Sequence, residues 1–181
     1  NPAGTNQTSN TTQLWDSEAP NVIEPVLDGY MFLGTLNDKL YFISNNATGW
    51  DSANASATAA INSIDAFGGL TVISNQQENQ AVGSMLASSS LNEVWIGVSQ
   101  ANDSAPWITS TDGVTQTYLP WRSDQPSGSN QNGVLFTKDP SSSGNQFSSQ
   151  SNVWTDETKT DPHKHLLEIT AFATNENVTQ T

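Results

Sequence analysis

Catalysis needs a nucleophile, a base to activate it, or a metal, and this sequence offers little of any. There is no cysteine, which removes thiolate nucleophiles, thiolate metal sites and disulfides together. The two histidines, His163 and His165, flank Lys164, the period-two spacing of a metal pair on a strand. No third ligand stands nearby, so a solvated turn is the simpler reading. No HExxH string, phosphate-binding loop or nucleophile motif occurs, and nothing singles out a carboxylate pair for glycoside cleavage. The chain reads as a binding module, not an enzyme.

The groups suited to binding are aromatic rings and oxygens. Six tryptophans occur, each a broad apolar surface with one polar handle. Trp50, Trp95 and Trp154 fall at periodic or strand positions that face a core. Trp107 and Trp121 lie in polar loops, where they serve as loop anchors or as ligand contacts. Trp15 reads as the residue that docks an N-terminal arm. Asp16, Glu18, Glu24, Asp28 and Asp38 form a loose acidic population that a solvated face explains.

Eighteen Asp and Glu against five Lys and Arg give a formal net charge of −13. That field repels phosphate backbones, so nucleic acid is excluded as a natural partner, while cations, neutral glycans and basic peptides stay open. No apolar run approaches the ~20 residues that span a bilayer, so no membrane insertion is expected. Abundant Ser, Thr, Asn, Gln and Gly with scarce Lys is the composition of secreted or surface-displayed bacterial proteins. The six Asn-x-Ser/Thr sequons, at Asn6, Asn10, Asn46, Asn54, Asn102 and Asn177, are about what such a composition yields by chance.

These groups need a scaffold, and its elements are partly readable. Residues 1–20 read as a linker or loosely docked arm, 21–174 as one domain, and 175–181 as an outgoing linker to neighbouring domains of a longer chain. Tyr30–Leu36 and Leu40–Ile43 bracket Asn37-Asp38-Lys39 as a hairpin. Trp50, Ala53, Ala57, Ala60, Ile61, Ile64 and Phe67 recur at three and four, predicting a helix stopped by Gly68-Gly69. Leu70–Ile73 reads as a buried strand, and Ser74 as the cap of a second helix with Ala81, Val82, Met85 and Leu86 inward. Val94–Val98 has central-strand character. Residues 99–152 read as long polar loops pinned by isolated Trp, Tyr, Val and Phe. Asn152–Thr155 and His165–Ile169 read as closing strands.

The landmarks Trp50-Asp51-Ser52-Ala53, Leu70-Thr71-Val72-Ile73 leading to Glu78, Trp95-Ile96-Gly97-Val98, Trp107 then Asp112-Gly113, Trp121 to Gln125-Pro126, and Trp154-Thr155-Asp156 occur in one order. In that order the chain resembles the C-type lectin-like domain family, in its cysteine-free bacterial form, over about residues 30–170. The resemblance implies an α+β fold, two helices flanking small antiparallel sheets, with a long polar loop region. It also implies that Ala57, Gly133, Leu167 and a residue near 158–163 stand where the family places disulfides. Losing a structural disulfide costs ~2–5 kcal/mol, which the apolar core must offset.

In sugar-binding members a calcium ion sits in the long loop, beside a proline that is normally cis. Carried over, its ligand positions are Gln125, Ser127, Gln131 or Asn132, Thr155 and Asp156. Ser127, the amide at 131/132 and Thr155 depart from the family pattern. Asp124 and Glu157 stand beside matched positions and supply charge to a rearranged site. With Asp156 the one matched carboxylate, calcium binding is expected to be weak. The expected ligand surface comprises Trp107, Trp121, Asp124, Gln125, Ser127, Gln131 and Asn132, and the expected metal set Gln125, Asp156, Glu157 and Asp124. The implied function is adhesion at an extracellular cell surface, recognising glycan or peptide on another surface. The alternatives are a structural spacer or self-association domain of a fibrillar surface protein, and ice or mineral binding.

Overall fold

The structure is a computed structural model that describes residues 25–138, 147 and 152–173. The expected arms, 1–20 and 175–181, lie outside them. In chain order the elements are β1 (Tyr30–Leu36), β2 (Lys39–Ser44), α1 (Trp50–Asn62), β3 (Ala66–Leu70), α2 (Gln76–Leu86), β4 (Glu93–Ser99), β5 (Ile108–Thr109), β6 (Gly133–Lys138), β7 (Asn152–Glu157) and β8 (Leu166–Phe172). Two antiparallel four-stranded sheets result, ordered β1-β2-β8-β3 and β5-β4-β6-β7, with two helices, as the α+β reading expects.

Strand alternation divides the core in two. On β2, Leu40 and Phe42 join the cluster under α1 with Trp50, Ala53, Ala57, Ile61 and Trp95, while Tyr41 and Ile43 join the cluster under α2 with Val82 and Leu86. β4 and β6 repeat the pattern, sending Trp95 and Leu135 one way and Val94, Ile96, Val134 and Phe136 the other. A strand buried on both faces must be apolar at every position, which is why these runs are continuous. The sheets join through Thr71, whose N–H donates to the Leu166 carbonyl and whose carbonyl accepts from Gly97.

The core also fills the positions where disulfides were implied. Ala57 and Leu167 are both fully buried in the α1-side cluster. A Cβ on Gly133 would lie 2.9 Å from Trp95 Cζ3 and 3.2 Å from Trp50 Cδ1. Two indole rings occupy that space.

Four local expectations need correction. The apolar period runs on through Ile64 and Phe67, but α1 ends at Asn62. Asp65 adopts a φ of 51° and its carbonyl accepts from Ala173, so the chain turns into a strand. Gly68 and Gly69 lie in β3 and do not stop the helix; a Cβ on Gly68 would sit 2.0 Å from the Glu168 carbonyl oxygen on β8. The cap of α2 is Asn75, whose Oδ1 accepts from the Glu78 N–H, while Glu78 Oε2 accepts from Ser74. β6 runs through the stretch read as loop, its Val134-Leu135-Phe136 fully or nearly fully buried.

The fourth correction concerns the histidines. The 163–165 stretch bridges Thr48 and Trp95, so it is held against both sheets and is not a solvated turn. His165 is buried, with Nε2 2.7 Å from the Tyr30 hydroxyl. His163 sets its ring edge-on to Trp95, 4.9 Å between centroids.

Candidate functional site

The expected ligand positions converge where three strand ends meet. Ser99 pairs with Gly133, and Gly133 with Glu157. The start of β6 is thereby fixed between the ends of β4 and β7, and Gln131 and Asn132 enter beside Asp156 and Glu157. Gln100 N–H donates to the Asn132 carbonyl at 3.0 Å, securing that entry.

Residues 118–127 are tied to β7 from outside. Trp154 donates its N–H to the Pro120 carbonyl and accepts from Arg122, both at 2.9 Å. The Gln125–Pro126 peptide is cis. One residue on, Ser127 N–H reaches both Asp156 oxygens, at 2.9 and 3.0 Å. Aromatic rings back the segment: Trp121 lies 5.1 Å from Trp107 and 6.3 Å from Trp154, centroid to centroid. Trp107 and Trp121 are half-buried and pack on the α2-side core, an anchoring position.

The electrostatics centre on Asp156, which is only 6% exposed. Burial raises its carboxyl above the usual range; the Ser127 N–H opposes the shift, and the nearby charges of Glu157 and Asp103 add to it. Asp103 takes the Asn130 N–H at 2.9 Å. Sequence reasoning missed Asp103, since nothing in a polar loop signals which carboxylate folds back.

The other acids are engaged elsewhere. Arg122 grips Asp124 as a fork, Nε to Oδ1 at 2.6 Å and Nη2 to Oδ2 at 3.1 Å, and that bond holds the exposed Asp124 carboxyl below its usual range. Glu157 Oε1 accepts from Thr158 N–H. Thr155 is buried and pairs with Leu135.

The amides behave differently. Gln125 Oε1, Gln131 Oε1 and Asn132 Oδ1 are all buried without a hydrogen-bond partner. Gln131 folds its amide against Gly128, where a Cβ would lie 2.6 Å from that oxygen. A buried polar atom left unpaired costs ~1–3 kcal/mol, and native proteins hold few. Three such oxygens fall in one short loop. Among the described residues no group of three or more His, Asp or Glu could hold a metal, so any cation here would rely on amide oxygens.

The Lectin C-type domain family matches residues 62–158. The chain belongs to the C-type lectin domain family. Solved structures agree on the fold. The C-type lectin domain of murine dendritic cell inhibitory receptor 2, solved with N-glycan, is 16% identical with a TM-score of 0.59, covering 80% of this chain and 98% of that one. Human lithostathine is 21% identical with a TM-score of 0.61, covering 90% and 100%. A calcium-independent type II antifreeze protein is 18% identical with a TM-score of 0.58, covering 82% and 96%. No curated protein sequence matches.

Proposed function

We propose that the chain is an extracellular recognition module, its domain spanning 21–174, that binds glycan through the long-loop face. The supporting observation is the set of three buried, unpartnered amide oxygens at Gln125, Gln131 and Asn132 beside the buried Asp156. Neutral amide oxygens suit hydroxylated ligands, and the net charge of −13 disfavours anionic ones. Trp107 and Trp121 hold the face in shape from the core side.

These residues also fit calcium. A hard cation takes six to eight oxygens, amide carbonyls among them, and Gln125, Gln131, Asn132 and Asp156 would hold it, with Glu157 and Asp103 adding negative potential. When bound, the ion supplies a Lewis-acidic centre that vicinal hydroxyls can complete. With one buried carboxylate in the set, affinity falls in the weak, extracellular range.

Glycan-array binding followed by calorimetry, with calcium and with chelator, tests the reading. Glycan binding that Asn132→Ala weakens supports it. No binding to any glycan under either condition sinks it, and leaves the spacer reading of a fibrillar surface protein. The module is expected to show no thermal hysteresis, despite the antifreeze-like fold.

A further inference from the structure

A second concave site lies away from the long loop. A recess of about 490 Å³ opens where the start of β1 and the end of β2 meet the outer side of α1, within the ~300–1,000 Å³ of small-ligand sites. All its lining residues fall in 28–63 except His165, so it shares none with the 99–157 region.

Its inner end is buried and hydrogen-bonded. Ser44 and His165, each 3% exposed, form the deepest part. Ser44 Oγ donates to the Asn46 carbonyl and accepts the His165 N–H, at 2.8 and 2.9 Å. The Tyr30 hydroxyl meets His165 Nε2 at 2.7 Å, and the rings cross at 78° with 5.4 Å between centroids. The other imidazole nitrogen, Nδ1, is buried without a partner. A buried nitrogen without a partner on a lining ring calls for an explanation, and a ligand group seated at the inner end would supply one.

The rim is chemically one-sided. Asn46, Thr48 and Ser56 present side chains that bond to nothing else among the described residues. Tyr30, Ala59 and Ala60 add apolar surface, and Asp28 is the one charged lining residue. There is no Lys or Arg to receive a phosphate, sulfate or carboxylate. Burial holds His165 down to about 4 and pushes Tyr30 up to about 12, so both stay neutral across the physiological range.

We infer that this recess binds a neutral, polyhydroxylated small molecule of monosaccharide size, through Tyr30, Thr48, Ser56 and His165. It acts independently of the long-loop face, and makes the module two-sited toward glycan or polyol.

Nitrogen-15 NMR of the full chain, titrated with methyl α-glucoside, methyl β-galactoside and inorganic phosphate, tests this. Expected are saturable shifts at Tyr30, Thr48, Ser56 and the His165 ring with at least one glycoside, at a millimolar dissociation constant. They persist with chelator and in Asp156→Asn, which isolates this site from the long-loop reading. Tyr30→Phe weakens binding about tenfold. Ser56→Met, which overhangs the recess from an exposed helix position, abolishes it without touching the core. No shift with either glycoside, shifts confined to 99–157, or equal shifts with phosphate overturn the proposal.

Discussion

The paired core strands and the long-loop face meet along β6 and β7, yet they handle their polar atoms in opposite ways. Under α1, Trp50 and Trp95 send their indole N–H groups to the Ile96 and Thr48 carbonyls, each at 2.9 Å. A few residues away, Gln125, Gln131 and Asn132 bury oxygens that bond to no protein group. Rings that close-pack cost nothing in lost hydrogen bonds, whereas buried unpaired amides subtract from stability. The first region is shaped for folding; the second is the one proposed to take a ligand.

The largest effect should come from emptying the first region. Trp95→Ala removes a fully buried ring and its hydrogen bond, and should lower stability by ~3–5 kcal/mol in denaturant melts. A loss under ~1 kcal/mol would mean that the α1-side core does not stand in for disulfides.

The next effect is electrostatic. Burial raises the Glu168 carboxyl from 4.5 to about 7, against the pull of Lys39. A group whose folded value is raised contributes stability that is present below its unfolded value and lost as pH rises through the folded one. His165, lowered by burial from 6.5 to about 4, acts oppositely, its contribution lost as pH falls through that range. Glu168 alone loses up to ~3 kcal/mol between 4.5 and about 7; His165 offsets that below 6.5, so the wild type shows its last ~1 kcal/mol as a fall above 6.5. Melting temperatures of Glu168→Gln should lack that slope.

Overfilling comes third. Gly133→Ala drives a methyl into Trp95 and Trp50, and should cost ~1–3 kcal/mol on calorimetric unfolding. A neutral result would show that the rings are loosely held.

What the sequence made legible follows the same divide. The runs at Leu40–Ile43 and Val94–Val98 could be read because burial on both faces leaves an unbroken apolar string. Val134-Leu135-Phe136 obeys the same rule but is short and flanked by polar residues, so β6 was hidden. The end of α1 was misread because Ile64 and Phe67 keep the helical period after the backbone has turned at Asp65. Of the site, Gln125-Pro126 and Asp156 were visible through motif order alone. The folding back of Asp103 and the burial of His165 depend on contacts distant in sequence, such as that of Tyr30 with His165, 135 positions on.

The smallest effect decides the most. Gln125→Met keeps the side-chain volume and removes an unpaired oxygen, so without ligand it should stabilise the chain by ~1 kcal/mol. Melting wild type and Gln125→Met side by side across a calcium series, with glycan present, therefore tests the claim that the long-loop oxygens are held for a ligand. The account predicts that the variant starts higher, that only the wild type climbs with added calcium, and that the two curves cross. Parallel curves, or a wild type that never responds, would contradict it.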